Sequence, residues 1–368
     1  MMDIRHIYQL YGGMNLMYYV NQNVKNLKRV FDQNSRKEYL RLDLNENPGG
    51  ISQEFIDKVL ADVSPQFLAE YPETLEFSEK LADYLNTDKE HICLVNGSAE
   101  GIRYIIEAFT EPGGKIVGVT PTYAMFEVYS EMYGRNYIPV TYTSEMKMST
   151  ERIISKLDKD VQLLILVNPN NPVGNTYTEE EFQELFVKAR ELEITILVDE
   201  AYHYFYPNTF IKYAINNRHV LITRTFSKLF SMAGARLGYV VGCPEEIELV
   251  QKLCTPHNVN AFAELFAQKI IETPGMIDKL IEKHNNGREY LKKNLSDLGY
   301  EYEGDAGNFI FIKPKTDADV LVENMKQEGI LIKSYNGIGK FGKCLRVTTG
   351  EKKYMKMFLK TLLKLDVI

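Results

Sequence analysis

The chain of 368 residues has no run of about eighteen apolar residues, the length a membrane-spanning helix requires. Its opening Met1-Met2-Asp3-Ile4-Arg5 also lacks the basic start and apolar stretch of a secretory signal, so a cytoplasmic protein is expected. No block of five or six like charges occurs, and the net charge is −7, which argues against nucleic acid or an anionic membrane as a partner. Small molecules are the expected partners. Cysteine is scarce: Cys93, Cys243, Cys254 and Cys344 lie far apart with no CxxC pair. That spacing suits reduced, mostly structural thiols better than a disulfide framework or a zinc site, so no metal is expected. There is no internal repeat and no low-complexity linker.

Hydrophobic residues make up 45% of the chain, enough for one large and one small domain, each with a core of its own. From about residue 90, short apolar runs over 92–95, 116–119, 163–167, 194–198, 220–223 and 239–241 alternate with longer helical patterns. Continuous hydrophobicity means that both faces of each strand are covered, as helices on either side of a parallel sheet require. The predicted fold class is α/β: a large domain with a mostly parallel sheet covered by helices, plus a smaller α+β domain. The smaller domain is read from helices over 261–272 and 276–298, strands over 309–312, 330–333 and 345–348, and a last helix from Glu351. The boundaries expected are an arm over 1–45 that belongs with the small domain, a large domain over 46–255 and a small domain over 256–368. Loops rich in Gly, Pro, Asn, Ser or Asp follow nearly every strand of the large domain. Open α/β sheets bind ligands at such carboxyl ends, so the chemistry is expected there.

Lys228, in Thr225-Phe226-Ser227-Lys228, follows a strand and precedes Arg236 by eight positions. A lysine desolvated at a strand end has a depressed pKa and becomes a nucleophile toward carbonyl carbon. The neighbouring hydroxyls and Arg236 supply hydrogen bonds and positive charge for a phosphate. A lone lysine is far more often a solvated surface amine, and it is the flanking pattern that reverses that reading. Asp199 closes the run 194–198, with Tyr202 three residues on. An acid there is costly unless paired, and the protonated pyridine nitrogen of pyridoxal 5'-phosphate (PLP) is a partner that would keep the ring an electron sink. By itself Asp199 reads equally well as a helix N-cap. The turn Asn168-Pro169-Asn170-Asn171-Pro172 restrains its asparagines, of which Asn171 is chosen to face a ring oxygen. Asn96-Gly97-Ser98-Ala99 enters a helix running to about Phe109, whose free backbone NH groups, those of Ser98 and Ala99, suit a phosphate. Tyr123 follows the next strand, where it can stack on the ring face, although a single tyrosine is more often core packing.

Taken together these stretches resemble the fold-type I PLP enzymes, specifically the class I and II aminotransferases of the histidinol-phosphate aminotransferase-like branch. The similarity covers about residues 40 to 350. In order, Leu44-Asn45-Glu46-Asn47-Pro48, Tyr71-Pro72, Asn96-Gly97-Ser98, Pro121-Thr122-Tyr123, the Asn-Asn-Pro turn, Asp199-Glu200-Ala201-Tyr202, Ser227-Lys228 with Gly234-Ala235-Arg236-Leu237-Gly238, and Leu345-Arg346-Val347 carry it. The resemblance implies that Lys228 holds PLP covalently and shuttles protons, that Asp199 pairs with the pyridine nitrogen, and that Asn171 and Tyr202 bond the ring hydroxyl oxygen. It implies that Tyr123 stacks on the ring and that Ser98, Ala99, Thr225, Ser227 and Arg236 contact the phosphate. It also implies a homodimer in which Tyr71 reaches the neighbouring subunit's site. Arg346 matches the substrate-carboxylate arginine, and Asn45 lies beside the substrate. One position departs: where this branch usually carries an arginine, the chain has Lys333, which keeps the charge without the bidentate fork.

Transamination with glutamate as donor and a small keto substrate, which can be phosphorylated, is the leading expectation. The nearest rival is a decarboxylase of a phosphorylated amino acid such as phosphothreonine or phosphoserine, since PLP breaks whichever α-bond lies perpendicular to the ring. A ligand-sensing domain of a transcription regulator would need a fused DNA-binding helix-turn-helix, for which the arm is too short. A nucleotide-sugar aminotransferase fits Arg346 less well than an amino-acid substrate does.

Overall fold

In the computed structural model, which describes residues 19–28, 35–144, 147–337 and 341–367, the apolar runs become the strands of a seven-stranded sheet. Numbered along the chain, the strands are β1 (Leu40–Arg41), β2 (Ile92–Val95), β3 (Lys115–Thr120), β4 (Asn136–Thr141), β5 (Val161–Val167), β6 (Thr195–Asp199), β7 (Val220–Thr225), β8 (Gly238–Val241), β9 (Tyr302–Glu303), β10 (Phe309–Ile312), β11 (Ile330–Leu331), β12 (Lys333–Asn336) and β13 (Lys343–Thr348). The large sheet has the order β2-β8-β7-β6-β5-β3-β4. Only β8 runs against its neighbours; the other adjacent pairs are parallel. Along the central strands, Leu164, Leu166, Ile196, Val198 and Ile222 fill one core while Leu163, Ile165, Val167, Leu197 and Leu221 fill another. This two-sided burial is why those strands read as unbroken apolar runs.

β4 escapes that criterion. Its Asn136-Tyr137-Ile138-Pro139-Val140-Thr141 contains a proline and buries only Val140. It lies at the sheet edge, where a missing amide hydrogen costs no interior ladder bond.

A second, antiparallel sheet has the order β12-β13-β10-β9. Its core joins Ile310, Ile312, Leu345 and Val347 to Leu291 and Leu295 of the helix Met276–Asp297 and to Phe358 and Leu362 of the helix Lys352–Leu365. The strand expected over 330–333 divides. Ile330–Leu331 pairs in parallel with Leu40–Arg41, whereas Lys333–Asn336 pairs antiparallel with β13 and sets Lys333 opposite Arg346. Leu42 is fully buried in the same core, so the segment before Asn45 is tied to the C-terminal part of the chain. The rest of the expected arm, over 1–18 and 29–34, lies outside the described residues. Among the described residues, no helix is long and apolar enough to cross a membrane.

Candidate active site

The C-terminal ends of β2, β3, β5, β6 and β7 all point to one edge of the sheet, because these strands are parallel to one another. There the chain places Asn96-Gly97-Ser98, Pro121-Thr122-Tyr123, the 168–174 turn, Asp199 and Lys228. The reversed β8 adds its N-terminal end, which brings Arg236 to the same edge.

Asp199 is the last residue of β6 and is 4% exposed. Its Oδ1 accepts hydrogen bonds from the Thr223 hydroxyl (3.1 Å) and the Ala201 amide (3.1 Å). No helix starts at Asp199, the next helical turn being His203–Phe205, so the carboxyl is not a helix N-cap, and neither bond uses Oδ2. Burial pushes its pKa up to about 6, against the two hydrogen bonds and the Lys228 charge, which pull the other way. Lys228 Nζ donates to the Leu44 carbonyl at 3.2 Å and lies 5.7 Å from the centre of the Tyr202 ring. Its pKa is lowered to about 8, first by desolvation and then by the Arg346 charge.

Buried Tyr202 accepts a hydrogen bond from Asn45 Nδ2 at 2.8 Å, and burial raises its hydroxyl to about 12. The same Asn45 Nδ2 reaches Asn171 Oδ1 at 3.3 Å, and that oxygen also accepts from Arg346 Nη1 at 2.8 Å. Arg346 is 3% exposed, and its Nη2 donates to the Asp43 carbonyl at 2.5 Å. Its plane lies near the Tyr335 and Phe309 rings, and its buried Nε has no partner among the described residues. No carboxylate is paired with this guanidinium among the described residues. Asn45 and Arg236 both hold left-handed backbone, at φ 57° and 58°. Such strained residues cluster where ligands are clamped.

Gly97 (φ 81°, ψ 150°) precedes the helix Ser98–Phe109, whose first NH groups have no side-chain cap. The Arg236 guanidinium lies over this turn; a Cβ on Gly97 would stand 2.3 Å from its Nη2. Arg236 Nη1 also reaches Ser227 Oγ at 3.4 Å, and the Thr225 hydroxyl lies 2.9 Å from Ser227 Oγ. Uncapped amides, two hydroxyls and a guanidinium thus converge on one point.

The pattern that describes the aminotransferase class I and II family matches residues 37–362. The chain belongs to that family. Histidinol-phosphate aminotransferase of Thermoanaerobacter pseudethanolicus is 29% identical over 336 residues, covering 90% of this chain and 94% of that protein. The crystal structure of the histidinol-phosphate aminotransferase from Clostridium acetobutylicum superposes with a TM-score of 0.78 at 26% identity, covering 89% of this chain and 99% of that one. The Sinorhizobium meliloti histidinol-phosphate aminotransferase, solved in complex with PLP, superposes at 0.84 with 19% identity over 96% and 99% of the two chains and so supports the fold. As a class I and II aminotransferase of the histidinol-phosphate aminotransferase-like branch, the protein is a PLP-dependent transaminase.

The cleft fits that cofactor on three observations of its own. Asp199 leaves Oδ2 outside its two hydrogen bonds, ready for a ring N–H. The uncapped helix end under Arg236 suits a phosphate. Lys228, with its depressed pKa, would offer an amine to a carbonyl carbon. Tyr123, packed edge-on against Phe126, is at the same sheet edge. Lys333 joins Arg346 across β12 and β13, and desolvation followed by the Arg346 charge lowers its pKa. Tyr71 stands apart from this set: its ring is 77% exposed and stacks on His257 at 4.4 Å.

Several supporting residues escape the sequence reading. Thr223 sits opposite Asp199 in the β6–β7 register and donates to it. Asn170 spans the 121–123 and 168–174 turns, accepting from the Thr122 hydroxyl at 2.7 Å and donating to the Pro121 carbonyl at 3.0 Å. Glu200, also buried, accepts from Arg224 at 2.8 Å and from the Phe210 amide at 2.8 Å, which pins the segment carrying Tyr202. The only signal for Glu200 and Arg224 was an acid and a base next to strand ends, a pattern that surface pairs share.

Proposed function

We propose that this transaminase moves an amino group between glutamate and a small keto substrate that carries an anionic group, phosphate being the first candidate. The observation that supports this reading most is Arg346: a buried guanidinium that, among the described residues, has an unpartnered Nε and no paired carboxylate, held beside Lys228 and bonded to Asn171. A planar fork of that kind binds a carboxylate in two parallel hydrogen bonds. Lys333, directly across from it, offers a second positive charge for another acidic group. The names of the relatives make histidinol phosphate the first compound to test; lysine in place of the expected arginine makes other phosphorylated substrates equal candidates.

In this reading Lys228 would hold PLP through Nζ, and Asp199 would keep the ring nitrogen protonated. Asn171 and Tyr202 would face the ring hydroxyl, and Tyr123 would stack on the ring. Ser98, Ala99, Thr225, Ser227 and Arg236 would hold the phosphate. When bound, PLP supplies an electron sink for the pair left at the substrate α-carbon. The work left to the protein is proton transfer and alignment. Lys228 Nζ would take and return the Cα proton; desolvation and the Arg346 charge lower its pKa to about 8, which raises the share of free amine near neutral pH. Arg346, by holding the substrate carboxylate, would orient the bonds at Cα, and Asn45 would lie beside the substrate.

The same reading includes a homodimer in which Tyr71 reaches the neighbouring subunit's phosphate site. It is supported by the exposure of Leu68, Tyr71 and Leu75 along one short stretch and of Phe262, whose ring lies 5.2 Å from that of Phe67 in the same stretch. The test is to mix the PLP-loaded protein with glutamate, histidinol phosphate and phosphoserine in turn, following the visible absorbance of the bound cofactor together with CO2. Bleaching without CO2 is the expected result and names the donor. CO2 release with the absorbance restored each turnover would replace transamination by decarboxylation. A protein that develops no visible band with added PLP would remove Lys228 from its assigned role.

A further inference from the structure

Cys93 and Cys254 are far apart in sequence, yet their sulfur atoms lie 3.7 Å from each other. We infer that these two thiols form an oxidation site that closes reversibly into an intramolecular disulfide when a hydroperoxide reaches Cys254. The pair lies outside the candidate active site, and the two sulfurs differ in setting. Cys93 is buried in β2, within the core made by Ile102, Tyr104 and Val250. Cys254 is half-buried, in the turn that follows the helix Pro244–Gln251, and is the member that solvent reaches. Cys243 and Cys344 are buried elsewhere, Cys243 against the Ala214 and Ile215 carbonyls and Cys344 beside Phe309 and Phe311.

The asymmetry assigns the roles. Cys93 is sealed in the core at 3% exposure, whereas Cys254 is half-buried at its edge. The accessible Cys254 is therefore the nucleophile and Cys93 the resolving thiol. In the first step the Cys254 thiolate attacks the outer oxygen of the peroxide; the O–O bond breaks, sulfenic acid forms and the other oxygen leaves as water. In the second, the Cys93 sulfur attacks the sulfenic sulfur, the S–S bond forms and a second water leaves. In sum, two thiols and one hydrogen peroxide give one disulfide and two waters, with sulfur oxidised and peroxide reduced.

Closure to a bonded distance of about 2 Å asks for movement of less than 2 Å. The turn can supply it: Leu253 and Cys254 lie beyond the helix, tied to it by backbone bonds to Val250 and Gln251 and by Cys254 Sγ to the Val250 carbonyl at 3.7 Å, with their side chains at the edge of the core. The strand need not shift. A resolving thiol within contact also protects Cys254, because a sulfenic acid that is captured as a disulfide does not proceed to the irreversible sulfinic acid.

The test exposes the PLP-loaded protein to hydrogen peroxide, unfolds it under acid, counts free thiols and maps the peptides by mass. The expected result is loss of two of the four thiols, a cross-linked peptide pair containing Cys93 and Cys254 and lighter by two hydrogens, and recovery of both thiols with dithiothreitol. C254S is expected to keep its remaining thiols at the same dose and to retain transaminase activity. C93S is expected to carry Cys254 on to sulfinic acid that dithiothreitol does not reverse. Should C93S fail to fold, the maps of the unsubstituted protein and of C254S decide. Sulfinic acid at Cys254 without a cross-link would overturn the inference. So would a disulfide that uses another cysteine or joins two chains, or four intact thiols at a dose that oxidises free cysteine.

Discussion

Asp199→Asn should make the cofactor-free protein more stable at neutral pH while removing most of its activity. The carboxyl is 4% exposed and held at about 6 against an ordinary 3.8. Such a group binds its proton about 3 kcal/mol more tightly in the folded chain than in the unfolded one. Because the folded pKa is the higher, the stability linked to that proton is complete below 3.8 and is lost as pH rises through 6. At pH 8 the cofactor-free protein therefore carries a buried charge at a cost of about 3 kcal/mol. Asparagine keeps an oxygen to accept from Thr223 and Ala201 but carries no charge. For a chain of this size that difference raises Tm on the order of 5 °C. The assay is thermal unfolding of both cofactor-free proteins from pH 4 to pH 8. The gain should be largest at pH 8 and shrink toward pH 4. With PLP bound, the uncharged side chain no longer holds the ring proton, and kcat is expected to fall about 100- to 1000-fold. A cofactor-free Asp199→Asn no more stable than the parent at pH 8, or a difference that does not change with pH, would refute the reasoning.

Lys228→Ala is expected to abolish the visible absorbance and to lower the rate by at least about 100-fold, measured by single-turnover reaction with glutamate. The rate at which cofactor-free protein captures PLP is expected to rise with pH and level off above about 8, the value to which Lys228 is depressed; stopped-flow absorbance checks this, and a rate still climbing at pH 10 would contradict it. Arg346→Lys should raise KM for glutamate with a loss in kcat/KM of about 10- to 100-fold, since one charge-assisted bond of the fork is given up. Gly97→Ala is expected to weaken PLP binding at least about 10-fold in a spectroscopic titration. Its φ of 81° with ψ of 150° is a region open essentially to glycine, and the added Cβ would stand 2.3 Å from Arg236 Nη2.

Buried parallel strands are legible because both faces are apolar: the runs at 92–95, 163–167 and 220–223 became β2, β5 and β7 with ends extended by at most two residues. The motif residues at their carboxyl ends followed, since a parallel sheet collects those ends at one edge. The edge strand β4 was not legible, because Pro139 and a half-exposed face erase the signal that burial leaves. Nor was the reversal of β8, on which the position of Arg236 depends; strand direction is decided by pairing and leaves no trace in hydrophobicity. Local chemistry thus singled out Lys228, Asp199 and Asn171, which the structure brings to one edge of the sheet. That Asn45 bridges Tyr202 and Asn171, that Lys333 faces Arg346, that Thr223 steadies Asp199 and that Cys93 touches Cys254 were all decided by tertiary structure. Each of these contacts joins residues distant along the chain, and contact at such separation is set by the packing of whole elements, which no short stretch of sequence encodes.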